Sequence, residues 1–253
     1  DVYKRQTYIR RNKMSGHSKW KTIKAKKGKE DQRRASVFTK LARYITVAVK
    51  EGGSNPEFNP SLKSAIEKAK AENMPNDNIE RAIKKGEGGE GDANYENVVY
   101  EGYGVGGVAV IVDCLTDNRN RTASDVRHAF DKHGGNLGTT GCVSYLFDKK
   151  GFIAIEKDDS VDEDTLTMDA IDLGAEDFKA FEEGFEIYTS VEDFNKVVEG
   201  LKDRGYKLSD FDISNIPQTT VKLDEEQAIK FEKMVDDLEE SDDVQSVSHN
   251  LED

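Results

Sequence analysis

Between Gly16 and Lys29 a lysine stands at nearly every second position, with the chain's one tryptophan among them: GHSKWKTIKAKKGK. Closely spaced cations of this kind neutralise phosphates and release their counterions, and an aromatic ring among them can stack on a base or sugar. In that reading Lys19, Lys21, Lys24, Lys26, Lys27 and Lys29 supply charge, Trp20 supplies the ring, and His17 and Ser18 supply hydrogen-bond donors. The bland alternative is a solvated tail whose Trp20 merely packs on the following domain. A second candidate lies at Asp117 to Thr122 (DNRNRT), where a strand pattern gives way to a helix pattern. Here Arg119 and Arg121, set beside free amides at the start of a helix with Asn118, could hold a phosphate. The alternative is that Asn118 and Asn120 fix the turn while the arginines pair with local acids.

Other chemistry is poorly supported. The run Gly102-x-Gly104-x-Gly106-Gly107 joins two strand patterns, whereas a dinucleotide loop must run from a strand into a helix, so a hairpin is expected. His17, His128, His133 and His249 stand at no zinc-binding spacing with Cys114 or Cys142. No nucleophile-elbow or metalloprotease motif occurs. The expectation is a protein that is not an enzyme, with no catalytic residues, no metal and no cofactor. Both cysteines lie in strand-like sequence without a C-x-x-C partner and are expected to be buried, reduced thiols, with a disulfide as the lesser alternative. The acidic pairs Asp236-Asp237 and Asp242-Asp243 read as a solvated face of the last helix and its turn.

The distribution of charge sharpens the first candidate. The net charge of the 253 residues is −13. Yet Met14 to Lys50 holds eleven Lys and Arg against two acids, a balance of +9, while Glu51 onward holds 21 against 47, a balance of −26. Such segregation keeps the body off polyanions and leaves one region able to approach them. No run approaches the roughly 20 apolar residues of a membrane-spanning helix, and no secretory core is present, so a cytoplasmic protein without a membrane partner is expected. Asp1 to Lys13 has no apolar period, and Met14 reads as a natural start. Residues 1–13 are therefore expected to be a non-native or disordered extension, a short mitochondrial presequence being the alternative.

The elements that must position these residues follow from periodicity. A helix is expected from Lys29 to Glu51, stopped by Gly52-Gly53. At 100° per residue Val37, Leu41, Tyr44, Ile45 and Ala48 share an apolar face, while Lys29, Arg33, Lys40, Arg43 and Lys50 share a separate basic arc about 30 Å long. Asn59-Pro60 caps a second helix, Asn76 caps a third that closes at Gly86, and EGGEGD at Glu87 to Asp92 is a linker. Strands are expected over Asn97 to Tyr103, Val108 to Leu115, Val143 to Phe147 continuing into Phe152 to Ile155, and Thr219 to Leu223, with a helix from Thr122 to His133 opened by a Thr122/Asp125 capping box. Between Phe152 and Ile216 the order is β-α-β-β-α-β, which is ferredoxin-like. A helix from Asp224 to Glu239 and a strand from Val244 to His249 would complete the earlier sheet. The fold class is α+β, a three-helix domain followed by two α+β domains, the ferredoxin-like one inserted in the other. The expected boundaries are 14–87, then 88–149 with 218–253, then 150–217 for the insertion.

The chain resembles the YebC/PmpR family, which includes a mitochondrial relative that activates translation of a cytochrome oxidase subunit. The resemblance spans Met14 to the C-terminus and rests on GHSKW (Gly16 to Trp20), IKAKK (Ile23 to Lys27), MPNDNIERAIKKG (Met74 to Gly86), YEGYG (Tyr100 to Gly104) and DNRNRT. Val105 stands where that pattern has proline, and Cys142 where serine is common. The resemblance implies a YebC-like three-domain fold and a cytoplasmic nucleic-acid-binding regulator of gene expression, described as a DNA-binding transcriptional regulator. The alternatives are a translation factor on the ribosome and its RNA, and an interaction scaffold. A monomer is the favoured state.

Overall fold

The computed structural model describes residues 30–88, 94–158 and 160–252, with side chains from residue 36 onward. Three helices come first: α1 (Glu30–Gly52), α2 (Pro60–Ala71) and α3 (Asn76–Gly86). They close on a core of Leu41, Ile45, Ala48 and Val49 from α1 with Leu62, Ala65, Ala69, Met74, Ile79 and Ala82. Tyr44, expected on the apolar face, lies at its edge and is 44% exposed. Asn59 caps α2 as its position before Pro60 requires: its Oδ1 accepts from the Leu62 amide at 3.0 Å. Its Nδ2 donates to the Ala48 and Gly53 carbonyls, so one buried amide also ties off the end of α1. The third helix is entered differently from the expectation. Pro75 is the N-cap, Asn76 is already helical, and no side chain caps the turn. Gly86 is required by close packing, since a Cβ there would sit 2.6 Å from Val49 Cβ and 2.8 Å from the Thr46 carbonyl.

Two four-stranded antiparallel sheets follow. The first contains β1 (Glu96–Tyr103), β2 (Ala109–Thr116), β3 (Asn136–Leu137) and β8 (Val244–His249) in the order β3-β1-β2-β8. The helices α4 (Arg119–Lys132) and α7 (Glu225–Glu240) cover one face of it, with Val126, Phe130, Phe231, Met234 and Leu238 meeting Val110, Val112 and Cys114. The glycine run makes the β1–β2 hairpin: Gly106 and Gly107 have φ of 70° and 80°, and a Cβ on Gly106 would collide with Leu223 at 2.2 Å. Only glycine fits both demands.

The second sheet contains β4 (Phe147–Glu156), β5 (Asp177–Ala180), β6 (Gly184–Thr189) and β7 (Leu208–Pro217), with α5 (Glu163–Leu173) and α6 (Phe194–Asp203). Its order β5-β6-β4-β7 is that of a ferredoxin-like β-α-β-β-α-β unit. Ile153, Ile155, Phe185 and Ile187 pack on Leu166, Val197 and Leu201. The fold is thus α+β, with a helical region and two sheet-containing units.

Three local expectations are corrected. The segment at Val143 to Leu146 is not a strand: Ser144–Leu146 forms a single 3-10 turn, because the Val143 and Ser144 amides donate to the Glu101 carboxylate instead of to a neighbouring strand. Thr219 to Leu223 makes one isolated parallel bridge, Val221 with Leu251. And α4 begins three residues before Thr122, capped by Asn118, whose Oδ1 accepts from the Arg121 amide at 3.1 Å.

Candidate nucleic-acid interface

The lysine-rich arm, including His17, Ser18, Lys19, Trp20, Lys21, Lys24, Lys26, Lys27 and Lys29, lies outside the described residues, as does the Arg33 side chain. What the structure places is the helix that follows the arm in sequence. Two residues of the basic arc of α1, Lys40 and Arg43, face the first sheet unit. Lys40 Nζ donates to the Glu239 carbonyl at 2.7 Å, at the end of α7, and Ser36 Oγ donates to Asp242 Oδ1 at 3.0 Å. Arg43 reaches further in. Its guanidinium donates to the Leu115 and Asp242 carbonyls and pairs with Asp243 Oδ1 at 2.6 Å, with only 15% of its side chain exposed.

Asp243 is the centre of this contact. Its place in the Asp242-Asp243 pair predicts a solvated acidic face, yet the residue is 4% exposed. Its Oδ2 accepts from Thr122 Oγ1 at 2.7 Å and Thr116 Oγ1 at 3.2 Å, and pairs with Arg121 at 2.8 Å. Burial alone would raise its pKa, but hydrogen bonds from Arg121, Thr122 and Arg43 overcome that and hold the carboxyl at about 2. Nothing local in the sequence could have shown it, because its partners lie in α1 and at the start of α4. An acid following the last helix looks the same whether it faces water or an arginine.

The second candidate, DNRNRT, is thereby resolved residue by residue. Arg121 pairs both with Asp117, one turn back, and with Asp243. Asn118 spends its side chain on the cap, and its amide donates to Thr116 Oγ1. Arg119 is exposed; its carbonyl accepts from Tyr100 Oη at 3.1 Å, and its guanidinium makes no ion pair among the described residues.

Glu101, within the YEGYG motif, is a second residue whose role its sequence context does not reveal. It is 4% exposed and accepts three backbone hydrogen bonds, from Gly141 at 2.7 Å, Val143 at 2.9 Å and Ser144 at 2.8 Å. Burial works against its charge, and these amides outweigh burial and pull its pKa down. The carboxylate therefore shapes the loop that presents the exposed Tyr145.

The remaining reactive groups are quiet. Cys114 is buried and its thiol pushed up to about 12 by that burial, and Cys142, half-buried, is also raised; both are free thiols. His128 is exposed, His133 bonds Asp237 at 2.8 Å, and His249 packs edge-on against Phe231. Among the described residues no group of His, Cys, Asp and Glu could hold a metal ion, and no helix is long and apolar enough to cross a membrane.

With this geometry in hand, comparison with known proteins is specific. Residues 18–89 match the TACO1/YebC protein N-terminal domain, and residues 95–251 match the TACO1/YebC second and third domain. A Finegoldia magna protein named "Probable transcriptional regulatory protein" is 62% identical over 238 residues, covering 94% of this chain and 98% of the relative. An Acetivibrio thermocellus protein of the same name is 59% identical over 238 residues, with the same coverage. The crystal structure of a conserved hypothetical protein from Aquifex aeolicus superposes with a TM-score of 0.81 at 52% identity, covering 88% of this chain and 91% of that one. Both halves of the molecule, the three helices and the two sheet units, are matched in order, and the chain belongs to the TACO1/YebC family.

Proposed function

We propose that this protein is a nucleic-acid-binding regulator of gene expression whose first contact with the polyanion is the lysine-rich arm. The carrying observation is the charge segregation: +9 over Met14 to Lys50 against −26 thereafter. A body this acidic is repelled by phosphate, so first contact falls to the basic segment. The name that the relatives carry, "Probable transcriptional regulatory protein", supports a role in regulating transcription. In this reading Trp20 stacks, Lys19 to Lys29 and Arg33 contact phosphates, and Arg119 adds an exposed charge. Lys40, Arg43 and Arg121 would each have to exchange an internal partner for phosphate.

That last point favours a second reading, a translation factor on ribosomal RNA. A helix that enters a major groove needs a free face, and α1 turns Lys40 and Arg43 toward the sheet unit. A basic arm with one aromatic suits structured RNA at least as well.

The test replaces Lys24, Lys26 and Lys27 with glutamate in the full chain. Affinity for nucleic acid is expected to fall at least tenfold, and its log–log salt slope to become shallower by about 2 to 3. Unchanged binding overturns the reading. Sedimentation of a cell extract then separates the two targets: co-migration with ribosomes selects RNA, and recovery of particular promoter fragments selects DNA.

A further inference from the structure

A cleft of about 390 Å³ lies between α1 and α3, on the side where the chain crosses into β1. Its charge is one-sided. Arg43, Arg81 and Lys85 line it, and no Asp or Glu does among the described residues. In a chain with 50 acids against 37 bases, that is a notable exclusion. Elsewhere on α2, α4 and α6 several cations are paired with carboxylates, as in Lys68–Asp212, Lys132–Asp237 and Lys202–Glu67. Arg81 is exposed, neither Arg81 nor Lys85 makes an ion pair among the described residues, and Lys85 Nζ lies over the Tyr95 ring, 5.6 Å from its centroid. Arg43 lies 5.4 Å from the same centroid while its guanidinium holds Asp243. One aromatic ring thus gathers two cations at the mouth of the cleft.

The floor is of another character. Phe38, Ala42, Met74 and Ala82 line it, Met74 being 4% exposed and Ala82 5%. Thr46 Oγ1 donates to the Ala42 carbonyl and lies 3.2 Å from that of Ala82, so the two helices are pinned at the cleft's base. An apolar floor beneath a cationic rim matches a planar base attached to a phosphate, and the volume falls within the about 300–1,000 Å³ usual for small-ligand pockets.

We infer that this cleft receives one nucleotide of an unpaired nucleic-acid strand, its base on the Phe38–Met74 floor and its phosphate between Arg81 and Lys85. The inference rests on the nucleic-acid reading above but assigns a site separate from the arm. Duplex DNA and A-form RNA keep their bases stacked and offer none to insert, so the cleft selects single-stranded segments. Because Arg43 belongs both to the cleft wall and to the Asp243 contact, a phosphate in the cleft also meets a group that joins the helical domain to the first sheet unit.

The test uses the full chain and one sequence presented as fluorescein-labelled unpaired RNA, unpaired DNA and duplex DNA. Wild type is expected to favour either unpaired strand over the duplex by tenfold or more. The Arg81→Glu/Lys85→Gln variant is expected to lose that preference and to show a salt slope shallower by about 2. RNA bound over unpaired DNA, or the reverse, identifies the source of the strand within the same chemistry. Wild-type binding with an unchanged preference in the variant overturns the inference and leaves the arm reading standing; wild type that binds none of the three overturns both. Independently of whether the variant folds, photocross-linking of 5-iodouridine RNA to wild type is expected to label the peptides carrying Phe38 or Tyr95. Cross-links confined to other peptides overturn the assignment.

Discussion

The helical domain meets the two sheet units through contacts of opposite kinds. Against the first it uses one buried node: Arg43 and Asp243, with 15% and 6% of their side chains exposed, joined by Arg121, Thr122 and Thr116. Against the second it uses solvent-facing pairs, Lys63–Glu199, Lys68–Asp212 and Glu67–Lys202, each with a third or more of at least one side chain exposed. The same residue types therefore do different things. Exposed pairs are worth about 0–1 kcal/mol and are screened by salt. A buried pair contributes little relative to an apolar replacement, but removing one partner strands the other charge at a cost of about 3–5 kcal/mol. The first contact fixes a geometry; the second permits adjustment.

The largest expected effect comes from breaking the node. Asp243→Ala leaves Arg43 without its carboxylate in a site largely closed to water, and a loss of about 3–5 kcal/mol in chemical unfolding is expected. A loss below 1 kcal/mol would mean that the node is hydrated and no different from the surface pairs.

Acid titration gives the next largest effect. The Asp243 carboxyl is held at about 2 in the folded protein, against about 3.9 when unfolded. A depressed carboxylate adds stability that is fully present above the unfolded value and is lost as pH falls through the folded one. About 2 kcal/mol should therefore disappear between pH 4 and pH 2. Asp243→Asn should flatten that part of the stability curve, and an unaltered acid limb would show that other carboxylates govern it.

Smaller still is the effect at the other interface. Lys63→Ala and Lys68→Ala are each expected to cost less than about 1 kcal/mol. Their consequence should appear as salt sensitivity: in 0.5 M NaCl, limited proteolysis or hydrogen exchange should report loosening between α2 and α6 before any loosening at α1 and α4. Simultaneous loosening at both sites would erase the distinction.

Much of this architecture was legible in the sequence, and the reasons are local. Asn59-Pro60 specified a cap and a first helical turn, strand-like runs on either side of a glycine-rich turn marked β1 and β2, and the glycine run specified a hairpin because its positive φ angles and close approach exclude side chains. The β-α-β-β-α-β order of the second sheet unit followed from the same periodicities. The misses were places where a distant group competed with a local one. Glu101 took the Val143 and Ser144 amides that a strand would have paired. Asn118 displaced Thr122 as the cap, and Thr122 turned its hydroxyl to Asp243.

The sequence by itself determined where positive charge could accumulate, because charge adds along the chain whatever the fold, and it marked out the helices and strands through their periods. Tertiary structure alone decided which of those charges stay available. Arg43 and Arg121 are drawn onto Asp243 from 200 and 122 residues away, whereas Arg81 and Arg119 are left without ion pairs among the described residues. A buried carboxylate must find cations wherever the fold places them, so its demand for partners sorts basic residues into structural and exposed sets that spacing along the chain does not distinguish.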